Sequence, residues 1–62
     1  MTLNEMNDAY QKNFIRIVEI EERIETATKP YLVEILKEQV ESLKTLNRAI
    51  SDAAWALYDA VF

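Results

Sequence analysis

Four glutamates crowd the stretch EIEERIE, at Glu19, Glu21, Glu22 and Glu25. Carboxylates at that density raise the question of a metal. Helical bundles that hold metals with acids set Glu side chains beside Glu-x-x-His pairs, all facing inward. This chain has no His. At helical spacing the four acids also fall mostly outside the apolar seam derived below, and Glu19 stands i,i+4 from Arg23, a favourable surface pair. They read as a solvated charged face. Nucleophilic catalysis is equally short of parts. With neither His nor Cys, no Ser–His or Cys–His pair can form, and the commonest neutral-pH base is missing. The expectation is a protein that is not an enzyme and carries no cofactor and no metal.

Phosphate binding is the next chemistry to weigh. Lys37, Lys44 and Arg48 fall along one side of a predicted helix, but Glu34, Glu38 and Glu41 interleave with them. Over its 62 residues the chain has eleven acids against seven bases, a net charge of −4. Nucleic-acid affinity rests mainly on Lys and Arg, so nucleic acid is not the expected partner.

The elements that must position these residues follow from the apolar pattern. Half the residues are apolar, too many for a disordered tail. Glycine is absent and proline occurs once, so a β domain would lack its turns. Thr2 and Glu5 have the spacing of a capping box. From there Leu3, Tyr10, Ile17 and Ile24 recur seven apart, with Met6, Asn13, Ile20 and Ala27 as the matching row. This is an apolar heptad seam. Pro30 interrupts it, because it lacks a backbone donor and disfavours helical angles at Lys29. Pro suits a first helical turn, with Thr28 as a candidate cap. A second seam follows at Leu36, Leu43, Ile50 and Leu57, with Leu32, Gln39, Leu46, Ala53 and Ala60 as its second row and Val33, Val40, Ala54 and Val61 widening it. The pattern predicts one all-α domain over 1–62: a helix over about 3–27, a turn over about 28–30 and a helix over about 30–61. So short a connection makes the two helices antiparallel neighbours. The alternative is one long helix kinked at Pro30.

Some residues do not fit the seam. NFIRIVEI, from Asn13 to Ile20, holds five large apolar side chains. Ile17 and Ile20 take the seam and Phe14 and Val18 flank it, which leaves Ile15 pointing nearly the opposite way. Ile15 and Val18 are either singly exposed, which is ordinary, or a second contact face near a twofold axis. Asn13 and Asn47 come to nearly the same height in the hairpin. They either reach water at the seam edge or pair as buried amides that fix register. At ~1.5 Å per residue, Leu3 lies level with Trp55. Beyond it Trp55, Leu57, Tyr58, Val61 and Phe62 form an apolar overhang. Trp55, Tyr58 and Phe62 make an aromatic stripe, and Trp and Tyr are favoured interface anchors. Either a second copy covers them, its turn and Tyr31 reaching that end, or a foreign protein does.

A chain this short has a marginal core, and with disulfides excluded, association is the remaining support. The expected state is a homodimeric four-helix bundle. A dimeric two-helix hairpin of about sixty residues resembles in shape the Rop type of plasmid RNA-binding protein, and the resemblance implies an RNA-binding alternative. The acidic balance favours instead a small helical protein that binds itself and another protein, as an inhibitor, adaptor or antitoxin-like regulator. A structural subunit of a larger assembly is the other alternative. The start MTLNE has neither a basic nor an apolar run and does not read as a signal peptide. The most apolar segment, Ala53 to Phe62, is far shorter than the ~20 residues of a membrane span. A cysteine-free chain of this kind is expected in the cytoplasm.

Overall fold

The computed structural model describes residues 2–61, and side chains over 2–60. It is an all-α hairpin of two helices, α1 (Leu3–Thr26) and α2 (Pro30–Val61). They lie antiparallel: Asn13 meets Asn47, and Leu3 lies beside Trp55 and Tyr58. The result is a rod of 49 × 14 × 14 Å.

Local chemistry sets the helix ends. The Thr2 hydroxyl oxygen accepts from the Glu5 amide at 3.1 Å, and the Glu5 carboxylate accepts from the Thr2 amide at 3.2 Å. Two orphan donors of the first turn are thereby satisfied by each other's residues. At the far end Ala27 turns extended and its amide donates to the Ile24 carbonyl. The Thr26 hydroxyl donates to the Arg23 carbonyl at 3.2 Å. The first turn of α2 is hung on Lys29, whose carbonyl accepts from Leu32 and Val33 at 3.1 and 3.3 Å. Pro30 occupies the first helical position, where a missing amide hydrogen costs nothing. Thr28 thus stands one residue ahead of the expected cap position. The two helices lie side by side, which overturns the kinked single helix.

The core is small. Ile17, Ile20 and Val40 are buried, with Ile24, Leu36 and Leu43 packed against them. Met6, Ala9, Asn13 and Ala27 continue the α1 side at partial burial, while Leu3 and Tyr10 sit exposed at its edge. On α2 the seam row differs from expectation. Val33, Leu36, Val40, Leu43, Asn47, Ile50, Ala54 and Leu57 are buried or half-buried. Leu32, Gln39, Leu46, Ala53 and Ala60, expected as the second seam row, are all exposed. The supposed widening row is the true one. Both rows have heptad spacing and stand one residue, about 100°, apart. Periodicity alone cannot choose between them, and Asn47 makes the true row look interrupted.

Candidate functional site: two uncovered apolar flanks

Two packed helices leave a groove on each broad face. One is lined by Tyr10, Phe14, Ile17 and Glu21 of α1 and by Lys44, Asn47, Arg48, Ser51 and Asp52 of α2. The other is lined by Arg16 and Ile20 of α1 and by Ile35, Glu38, Gln39, Ser42 and Leu43 of α2. On the first face the apolar rim belongs to α1 and the charged rim to α2. On the second face α1 supplies Arg16, and α2 supplies the apolar Ile35 with Glu38 beside it.

The α1 rim consists of Tyr10, Phe14 and Val18, with Ile15 further round at 56% exposure. Toward the turn it becomes acidic, at Glu21, Glu22 and Glu25. Glu21 and Glu25 share a groove with Lys37, Lys44 and Glu41, so acids and bases alternate there. Among the described residues no three acids converge as metal ligands would.

The α2 rim is a complete second heptad row: Leu32, Ile35, Gln39, Ser42, Leu46, Ala49, Ala53, Ala56 and Ala60. All nine are exposed and none is charged. Sequence reasoning missed it by assigning five of these positions to the inner seam and overlooking Ile35. The available signal was the doubled pattern itself. A helix with one neighbour needs one row, whereas α2 has two.

At the open end a cleft is lined by Leu3, Ser51, Ala54, Trp55 and Tyr58. Trp55 is 64% exposed, and its ring meets Tyr58 edge-on at 5.7 Å. The cleft shares Ser51 with the groove beside Phe14, so both belong to one face. Tyr31 is exposed at the turn, 6.0 Å from the Lys29 ammonium. Within one copy the structure does not bring the three expected interface groups together. Ile15 lies about 18 Å along the axis from the Leu3 level, and Tyr31 lies at the opposite end from Trp55. Phe62 lies outside the described residues.

Asn13 and Asn47 do meet. The Asn13 amide donates to Asn47 Oδ1 at 3.0 Å, and Asn47 Nδ2 donates to the Tyr10 carbonyl at 3.2 Å. Asn47 is only 7% exposed. The second lone pair of a helical carbonyl is what the Asn47 amide uses. Among the described residues no buried side-chain polar atom lacks a partner.

The surface balance is the main property of the site. Among the described residues eleven large apolar side chains are exposed and three apolar side chains are buried. The accessible area is 5009 Å², against ~4,200 Å² for a compact protein of this mass. The excess, ~800 Å², is about what one partner contributes to a standard interface. Among the described residues no helix is long and apolar enough to cross a membrane. No family model, no curated protein and no solved structure matches this chain.

Proposed function

We propose that the chain is a self-associating, protein-binding helical hairpin that acts through its surface rather than through a reaction centre. The observation that supports this is the excess of exposed over buried large apolar residues, most of them on two opposite flanks. One flank takes a second copy. The other, from Phe14 and Val18 to the Trp55 cleft, takes a protein segment. The net charge of −4 favours a basic one.

The two-sided arrangement also supports the structural-subunit reading. If both flanks take copies of the chain, association does not close and larger species grow. The RNA-binding reading has less support, because Lys44 and Arg48 share their groove with Glu21 and Asp52.

Sedimentation velocity at rising protein concentration, with Trp55 emission read in the same samples, separates these readings. The expected result is a dimer whose only tryptophan keeps the red-shifted emission of a wet indole. A monomer at every concentration contradicts the proposal. Continuous growth in mass with a blue shift selects the structural subunit.

A further inference from the structure

We infer that the outer row of α2 is a second helix–helix seam, occupied by the same row of a second copy, antiparallel, about a twofold axis level with Lys44. This rests on the self-association reading above and gives it a place and a direction.

The row is built as a seam and not as a wet face. It keeps the three-four spacing from Leu32 to Ala60, over ~42 Å of helix. Charged residues make up 29% of the chain, yet none enters this row. They occupy the remaining surface of the same helix, from Glu34, Lys37 and Glu41 to Arg48 and Asp52, and Glu38 borders the row beside Ile35 and Ser42. The outer positions of α1 fail the same test, since Glu21 and Glu25 break the stripe that Phe14 and Val18 begin. A second copy is therefore better matched to α2 than to α1. A standard interface covers about 800 Å² on each partner, about the amount by which the rod-shaped hairpin's surface exceeds that of a compact chain of its mass.

The direction follows from side-chain size. Leu32 and Ile35 stand near the start of the row, and only alanines follow Leu46. Helix separation follows the side chains at the contact, within 8–10 Å. A parallel pair would set large against large at one end and Ala against Ala at the other, and straight helices cannot satisfy both. The antiparallel pair sets Leu32 against the second copy's Ala56, Ile35 against its Ala53, and Leu46 against its Ser42. The separation is then uniform. Gln39 falls opposite the second copy's Ala49.

The chain has no cysteine, so single introduced cysteines report the seam. Full-length Gln39→Cys and Ala49→Cys chains are mixed and mildly oxidised, and the products are separated by mass. The expected outcome is a mixed disulfide in several-fold excess over either self-disulfide. A dominant Ala49→Cys self-disulfide would mean a parallel pair and overturn the proposed direction. Preferential self-linkage of Val18→Cys would move the seam to α1 and overturn the proposal. No linkage at either site in a protein that sediments as a dimer would do the same, while leaving self-association standing. A protein that never dimerises defeats both. Leu46→Lys gives an independent check: the dimer falls to monomer and the thermal midpoint drops and loses its dependence on concentration, whereas Phe14→Lys leaves both the dimer and that dependence. The reverse pattern contradicts the placement.

Discussion

At the residue scale, we propose that the Asn13–Asn47 pair sets how the two helices align. Sliding α2 by one heptad would set Asn47 against Met6 or Ile20 and Asn13 against Val40 or Ala54. Each amide would then lose its partner, at about 1–3 kcal/mol per buried group. On that proposal the pair penalises wrong registers more than it stabilises the right one. The two members are not equivalent. Asn47 is 7% exposed, so removing its donor leaves a buried oxygen without a partner. Asn13 is only part-buried and can turn to water. We predict that Asn13→Leu lowers unfolding free energy by about 1–3 kcal/mol. Asn47→Leu should cost clearly less, because the leucine joins an apolar row. The double variant should equal or exceed the parent, because replacing both partners of a hydrogen bond by apolar groups can be neutral or stabilising. Denaturant titration of the four proteins checks this, and equal losses from the two single changes would refute the asymmetry. The matching heights of Asn13 and Asn47 were legible from counting residues back from Pro30. Whether they pair or face water was not, because that depends on which α2 row turns inward.

At the element scale, the ends of both helices are written in local chemistry. Thr2, Glu5 and Pro30 act within one turn of their own positions, so a reader of sequence can place them. The facing of α2 is different. Its two rows share one spacing and differ by one residue, and the choice is made by α1. Ile17 and Ile20 need apolar neighbours, and Asn13 needs an amide. Only the Val33–Val40–Asn47–Ala54 row supplies both. Leu46 was lost to view for the same reason: a residue at seam spacing is taken for seam until its neighbour is seen, whereas Ile35 fell in neither expected row. Ile15, by contrast, was legible as a misfit, since no rotation of α1 brings it round with Ile17 and Ile20. The turn offers its own test. Because Pro30 opens α2 and does not kink a continuous helix, Pro30→Ala should keep the fold and cost about 1 kcal/mol or less, through the freedom gained by the unfolded chain. Small-angle scattering of that variant should give the dimensions of the parent. A longer, thinner particle would mean that the proline alone separates the two helices.

At the scale of the whole molecule, a single hairpin is an incomplete solution to burying its own sequence. The radius of gyration is 14.5 Å, where a globular chain of this length has ~11 Å. A rod two helices wide has no position enclosed on all sides. The burial pattern agrees: no described residue falls below 2% exposure, and the core is one line of contacts. Leaving Leu32, Ile35 and Leu46 in water forgoes part of the roughly 1.5–3 kcal/mol that full burial of each would contribute, a large share for a small domain. A second copy on the outer row of α2, as proposed, would supply the missing layer and leave the opposite face with Phe14, Val18 and Trp55 open to another protein. The central claim is that the folded state draws its stability from a second copy. The most direct measurement is the thermal melt followed by helix circular dichroism over about a hundredfold range of protein concentration. The account predicts a midpoint that rises steadily with concentration. A midpoint that stays fixed across the range, with the chain folded and monomeric, would contradict it.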